Sequence, residues 1–119
     1  MMFSWQVCNA ATFTSSHDTL PEKLRGIASY YAQKFEGKKT ASGDLFRQDK
    51  LTAACNKLPL GTKVRVRNLN NQKTVDVLVN DRLAPRNKRV IDLSRAAARK
   101  LDMLGAGLIK VELVVLESP

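Results

Sequence analysis

The chain has 119 residues, 44% hydrophobic and 26% charged, which predicts one globular domain with its own core. Its formal charge of +9 favours an anionic polymer as partner: a nucleic acid, a membrane surface or an acidic cell-wall glycan. No window approaches the ~18 uninterrupted apolar residues of a membrane span, so we expect no transmembrane segment. One histidine and two cysteines cannot assemble a zinc site of the usual Cys/His type, and we expect no metal and no other cofactor.

Residues 1–25 differ from the rest of the chain. Residues 1–11, MMFSWQVCNAA, are apolar and uncharged, and all 20 Lys and Arg residues lie at or after Lys23. This pattern is typical of a secretory signal that has lost its positive start, with cleavage after Ala10. We therefore expect a leader remnant or N-terminal arm over 1–25, a folded domain over 26–119, and a location in the cell envelope or periplasm, or secretion.

The cysteines leave two alternatives open. If the leader is removed, Cys55 is the only cysteine left and cannot form an internal disulfide. If the leader stays, a disulfide between Cys8 and Cys55 can form in an oxidising compartment. Acylation of Cys8 as in a lipoprotein is a weaker interpretation, because Val7 is not a small residue.

Short strands dominate the pattern after residue 25. The sequence predicts a strand over 26–31, a loop over 34–43, a short strand over 90–93 and a long final strand over 108–116. Between them, segments 63–68 and 73–80 alternate strictly around a turn at 70–71 and predict a hairpin with a basic outer face. The residues expected to face inward in this hairpin are Val64, Val66, Val75, Val77 and Val79.

One helix is predicted, over 94–104. Ser94 suits the N-cap, and Ala97, Leu101 and Leu104 share one apolar face. A glycine beyond residue 104 is expected to end the helix. One helix among about six short strands predicts a mainly β fold, a small six-stranded barrel with a crossover α-helix.

The segment Asn80-Asp81-Arg82 stands where a predicted strand runs into a loop. A sheet fixes a carboxylate at such a position and the loop leaves it accessible, as a functional side chain requires. Taken alone, Asp81 is equally well interpreted as a residue that caps a turn. Aromatic residues near the first loop, Tyr30 and Tyr31 among them, either pack at a rim or stack on a sugar ring.

Four stretches, in order along the chain, carry a family resemblance: GIASYYAQKFEGKKTASGDLF, LTAACNKLPLGTKVRVRNLNNQKTVDVLVNDR, KRVIDLSRAAARKL and GLIKVELVVL. Over about residues 26–116 the chain resembles the RlpA-like (rare lipoprotein A) family. This resemblance implies a double-psi β-barrel related to expansins, in a cell-envelope protein that acts on peptidoglycan. Characterised members of that family are lytic transglycosylases that cut glycan strands stripped of stem peptides.

The resemblance also implies a set of site residues. The family's Asp in its Asn-Asp-Arg motif falls on Asp81, the candidate acid/base, and the family's Glu falls on Asp44, a carboxylate one methylene shorter. The family's His falls on Cys55, whose protonated thiol is neutral and cannot pair with Asp81 as an imidazolium does. The family's Gly-Pro after the motif is replaced by Leu83-Ala84. The candidate substrate-binding residues are Tyr30, Tyr31, Thr40, Asn80 and Arg82.

Two classes of function stay open. The first is a peptidoglycan lytic transglycosylase in which Asp81, Asp44 and Cys55 meet in one groove. The second is a non-catalytic, expansin-like glycan-binding module that uses the basic hairpin face and the Tyr30 and Tyr31 rim. In both, we expect glycan strands of peptidoglycan as partner and a monomeric protein. No nucleic acid is expected, because no motif that reads one accompanies the charge.

Overall fold

The computed structural model describes residues 23–119, so the predicted cleavage site and Cys8 lie outside the described residues. The predicted boundary between an arm over 1–25 and a domain over 26–119 is wrong by three residues, because residues 23–25 already pair with the last strand of the barrel. Six strands form a closed barrel in the order β1-β5-β2-β4-β3-β6, with β6 pairing again with β1. The predicted six-stranded barrel is confirmed. In chain order the strands are β1 (Lys23–Tyr30), β2 (Thr52–Ala54), β3 (Lys63–Asn68), β4 (Thr74–Asp81), β5 (Ile91–Leu93) and β6 (Ile109–Glu117).

The barrel mixes parallel and antiparallel pairs. β1 pairs in parallel with β5, and β2 with β4, whereas the other four pairs are antiparallel. Parallel neighbours cannot be joined by a two-residue hairpin and need longer connections. The segment between β1 and β2 begins with a short 3₁₀ helix, Gln33–Phe35, and the segment between β5 and β6 holds the α-helix α1, Arg95–Lys100.

The hairpin of β3 and β4 follows the predicted alternation. Its five inward valines are at most 5% exposed, while Lys63 and Arg65 on the outer face are exposed. Burying a valine side chain contributes about 1.5–3 kcal/mol to folding, so this inner row is a main source of stability. β6 closes the barrel with Val111 and Leu113 fully buried against the same core.

Helix α1 is shorter than the sequence predicts. The expected span was 94–104 with a glycine at its end, but the helix covers Arg95–Lys100. Asp102 adopts a left-handed conformation with φ 55°, and the N–H groups of Asp102 and Met103 close the last turn on carbonyl oxygens of the helix at 3.0 and 3.2 Å. Aspartate tolerates this conformation better than most residues. The predicted glycine end is therefore wrong.

A second apolar cluster lies at one end of the barrel, separate from the main core. It consists of Tyr31, Phe46, Ala54 and Leu83, and it anchors the loop over residues 31–51 on the barrel. Backbone hydrogen bonds of 2.8 and 2.7 Å between Gly37 and Phe46 and between Phe46 and Lys38 fold this loop into a ribbon. Among residues 23–119, no helix has the length and apolar character needed to cross a membrane.

Candidate active-site groove

Asp81 is the last residue of β4 and its carboxylate is held by three donors. Oδ1 accepts the N–H groups of Ala41 and Arg82, both at 2.8 Å, and Oδ2 accepts the Tyr31 hydroxyl at 2.6 Å. Three donors fix the orientation of the carboxyl group. Both lone pairs of Oδ1 are used, so Oδ2 keeps one lone pair for a ligand or a proton.

The groove beside Asp81 has a volume of about 640 Å³ and lies between the 31–51 loop and the loop after β4. Its apolar wall includes Phe35, which is 39% exposed, and its rim is rich in lysine. This size and openness suit an extended polar ligand such as a sugar chain. The residues that line it are Tyr30, Tyr31, Ala32, Lys34, Phe35, Lys38, Lys39, Ala54, Asp81, Arg82, Leu83, Ala84, Asn87, Arg89 and Asp92.

A second carboxylate, Asp92, lines the same groove and was missed by the sequence analysis. Ala54 pairs with Asp81 on one side and with Asp92 on the other, so the two aspartates flank one residue. Arg89 binds Asp92 through two parallel hydrogen bonds of 2.7 and 2.9 Å. These hydrogen bonds are the main reason why the pKa of Arg89 is raised above its usual value. The Asp92 charge is therefore compensated within the protein.

Tyr31 orients Asp81 and exposes little of its ring. Only 8% exposed, it stacks on Phe46 with ring centroids 4.0 Å apart and meets Phe35 edge-on at 5.7 Å. Burial, followed by the hydrogen bond and the charge of Asp81, raises the pKa of the Tyr31 hydroxyl well above its usual value. The hydroxyl therefore keeps its proton and remains a donor to Asp81.

Two other predicted binding residues line the groove but are already engaged. The Tyr30 hydroxyl donates to the carbonyl oxygen of Leu104 at 2.8 Å, and the Arg95 guanidinium lies over the Tyr30 ring, 5.3 Å from its centroid. The Arg82 guanidinium donates to the backbone carbonyl oxygens of Cys55 and Leu58. These bonds hold the Arg82 charge beside the backbone and not on the Asp81 carboxylate.

The predicted residues Asp44, Thr40 and Asn80 lie away from the groove. The exposed Asp44 carboxylate accepts the Ser42 hydroxyl at 2.9 Å and, with Asn80, lines a separate depression of about 240 Å³. Thr40 is buried, and its hydroxyl donates to the Asp44 carbonyl at 3.1 Å. The 40–44 turn links the two carboxylates, since the N–H of Ala41 donates to Asp81 and the hydroxyl of Ser42 donates to Asp44.

The thiol of Cys55 lies in the main core. Cys55 is fully buried, and its backbone N–H donates to the carbonyl oxygen of Asp81 at 3.1 Å. Neighbouring side chains of an extended segment point to opposite faces, so Ala54 faces the groove while Cys55 faces the core. The three residues expected to meet in one groove do not do so: only Asp81 lies there. His17, the one histidine of the chain, lies outside the described residues.

These features define a double-psi β-barrel with an oriented carboxylate in an open groove. The chain belongs to the lytic transglycolase family, whose sequence model matches residues 23–113. This match confirms the family resemblance found in the sequence.

Curated relatives support the same assignment. The chain is 44% identical over 108 residues to the endolytic peptidoglycan transglycosylase RlpA of Campylobacter jejuni, covering 91% of this chain and 39% of that protein. It is 49% identical over 94 residues to the protein of the same name from Pasteurella multocida, covering 77% and 32%. The chain thus spans 32% to 39% of the length of these relatives.

A solved structure adds support for the fold alone. The expansin of Clavibacter michiganensis, solved without ligand, superposes with a TM-score of 0.63 at 24% identity, over 82% of this chain and 52% of that one.

Proposed function

We propose that this domain is a peptidoglycan lytic transglycosylase. It cleaves the bond between MurNAc and GlcNAc in glycan strands stripped of stem peptides, leaves a 1,6-anhydro sugar and serves cell-wall organisation. The observation that carries the proposal is Asp81, oriented by three donors with one open lone pair on Oδ2, at the wall of a groove large enough for sugars. Family membership and the names of the relatives support the same reaction.

The reaction requires one group that gives a proton and takes another back. Protonated Asp81 gives its proton to the glycosidic oxygen as the bond to C1 of MurNAc breaks, and the resulting carboxylate faces the positive charge that develops at C1. The 6-hydroxyl of the same sugar then attacks C1 while Asp81 takes its proton. Atoms balance without water, because the attacking oxygen belongs to the substrate.

The surrounding residues fit this use of Asp81. Oδ2 is the atom that exchanges the proton, since Oδ1 is occupied by the N–H groups of Ala41 and Arg82. The Tyr31 hydroxyl, which keeps its own proton, prevents the carboxylate from rotating. Phe35 is 39% exposed at the groove, and the Lys34 ammonium group lies over its ring, 5.4 Å from the centroid, so a sugar chain meets an aromatic surface and a cation together. Peptidoglycan is a cell-envelope polymer, so the proposed substrate implies a location in the cell envelope. The monomeric state and the N-terminal leader stay predictions.

The test is product analysis on glycan strands purified from amidase-treated sacculi. Wild-type protein should release products with 1,6-anhydro ends, and Asp81→Asn should lower the rate by ~10²–10⁴-fold while glycan binding persists. Asp76→Asn is the matched control, because Asp76 lies on the outer face of β4, paired with Arg65 at 2.8 and 3.1 Å. Equal rates for Asp81→Asn and wild type would refute the assignment.

A glycan-binding module without catalysis is the second candidate. It is favoured by one observation: the position where the family has its histidine is occupied by Cys55, whose thiol is buried in the core. In that case wild-type protein would bind stripped strands and yield no anhydro product at any pH.

A further inference from the structure

Three exposed lysines line the groove on the loop after β1: Lys34, Lys38 and Lys39. None of the three forms an ion pair with a residue in the described part of the chain. The two arginines of the groove differ from them, because Arg89 is paired with Asp92 and Arg82 is bound to backbone carbonyls. The three lysines, which we call the lysine rim, are the part of the groove whose charge is available to a ligand.

The groove as a whole is cationic. Five cationic and two anionic side chains line it, and Arg89 already compensates one of the two aspartates. Neutral sugars are bound by hydrogen-bonding groups and aromatic faces, and a cluster of ammonium groups adds nothing specific to them. Like charges that share one rim also repel each other, and a bound anion relieves this repulsion.

The lysine rim is coupled to Asp81 through a single loop. The backbone N–H of Ala41, two residues after Lys39, donates to Asp81 Oδ1 at 2.8 Å. Backbone hydrogen bonds tie Gly37 and Lys38 to Phe35 and Phe46 at 2.7 to 3.1 Å, and the N–H of the intervening Thr40 donates to the carbonyl oxygen of Asp44 at 2.7 Å. An anion bound at the rim is therefore placed at a defined position relative to the carboxylate.

We infer that the lysine rim recognises the free lactyl carboxylates of muramic acid, and that these three side chains are the element by which the groove distinguishes stripped strands from strands that keep their stem peptides. This inference rests on the proposed function for the identity of the sugar. Each MurNAc carries a 3-O-lactyl group, whose carboxylate is free once the stem peptide has been removed. While a peptide is attached, the same carbonyl is an amide and carries no charge. The rim thus determines specificity without touching the bond that breaks.

The experiment compares three ligands: stripped strands, the same strands with their lactyl carboxylates converted to methylamides, and strands that keep their stem peptides. Affinity is measured by calorimetry in the Asp81→Asn background, which prevents cleavage, and kcat/KM is measured with Asp81 intact. Stripped strands should bind about tenfold more tightly than methylamide strands, as expected for three exposed ion pairs. This preference should shrink as salt is added.

The test variant is the triple substitution Lys34→Gln, Lys38→Gln and Lys39→Gln. The matched control removes the same charge elsewhere, with Lys50→Gln, Lys100→Gln and Lys110→Gln, three exposed positions outside the groove that form no ion pair in the described part of the chain. The test variant should bind stripped and methylamide strands equally, and the control should keep the preference. Thermal unfolding of both variants checks that each is folded.

Failure of the inference and failure of the proposed function give different results. If all three ligands are cleaved with equal kcat/KM, the enzyme assignment stands and the lysine rim is not a specificity element. If nothing is cleaved while stripped strands are still preferred, recognition stands and the enzyme assignment falls. If peptide-bearing strands bind as tightly as stripped ones, the rim recognises carboxylates of the peptide, and the inference is wrong.

Discussion

The groove and the outer face of the β3–β4 hairpin are both basic, yet they use their charges differently. On the outer face Arg65 pairs with Asp76, and Lys63 with Glu117, at 2.8 and 3.4 Å. At the groove, the lysine rim has no such partners among residues 23–119. The sequence analysis named the hairpin face as a binding surface on the basis of its positive residues. Compensation by neighbouring carboxylates removes that basis, because a paired cation has little charge left for a ligand.

The carboxylates Glu112 and Asp81 differ in a similar way, because one is bound to cations and the other to neutral donors. Glu112 on β6 is 3% exposed and lies between Arg25 and Arg67 of the two neighbouring strands. Hydrogen bonds from Arg67 and then Arg25 lower the pKa of Glu112. Asp81 in the groove is held instead by two backbone amides and a hydroxyl. A carboxylate bound to cations stabilises the barrel, whereas one bound to neutral donors remains free for chemistry.

Among substitutions that leave Asp81 in place, the largest effect is expected when its carboxylate loses the hydrogen bond from Tyr31. Tyr31→Phe keeps the stacking on Phe46 but deletes the donor to Oδ2. A hydrogen bond to a charged group is worth about 1.5–3 kcal/mol, so kcat should fall by roughly 10–100-fold. Steady-state kinetics on stripped strands gives the measurement, with KM expected to change little. A kcat equal to that of wild type would show that the amides alone orient the carboxylate.

A smaller effect is expected at Glu112, and it concerns stability instead of catalysis: the melting temperature should change while the activity should not. Because the folded pKa lies below the unfolded value, Glu112 stabilises the protein above about pH 4.3 and this contribution is lost as pH falls through the acid range. Glu112→Gln should lower the melting temperature at pH 7 and flatten its decline below pH 5. Melting curves from pH 7 to pH 3 test this. Parallel curves for variant and wild type would contradict it.

The smallest effect is expected at Cys55, whose side chain lies in the main core. Cys55→Ala removes a buried sulfur that lines no part of the groove. Stability should fall by about 1 kcal/mol, as for other small truncations in a core, while kcat/KM stays within twofold of wild type. A large loss of activity in a Cys55→Ala variant that melts normally would show that the Cys55 thiol takes part in catalysis. Denaturant titration measures the change in the free energy of unfolding, and the anhydro-product assay measures kcat/KM.

Local patterns predicted most of the barrel. Strict alternation in 63–68 and 73–80 identified the hairpin, because only one face of each strand is buried. The start of α1 followed from the capping preference of Ser94, whose hydroxyl accepts the N–H of Ala97 at 3.3 Å. Its end could not be predicted, since a left-handed Asp102 leaves no signal comparable to glycine. The three-residue strand β2, TAA, was not predicted, because it lacks the large apolar residues that mark the equally short β5, IDL.

The site was predicted less completely, for reasons of register. Asp81 was identified because its motif stands at a strand end, but Asp92 lies in the middle of β5, where a lone polar residue usually only faces solvent. The register between β2 and β4 shifts at Ala53 and Ala54, and it is this local geometry that decides which neighbour faces the groove. A shift of this kind depends on strand pairing between distant segments, so the inward turn of Cys55 could not be predicted from the residues around it.

Closure of the strand ring has a consequence for how the domain meets other molecules. β6 is bonded to both β1 and β3, so the described barrel offers no unpaired strand edge. Addition of a foreign strand, a common route to both peptide recognition and aggregation, is thereby blocked. Any contact with the barrel must be made by side chains and loops. Changes in the loops can therefore alter what the domain binds without opening a path to self-association through the sheet.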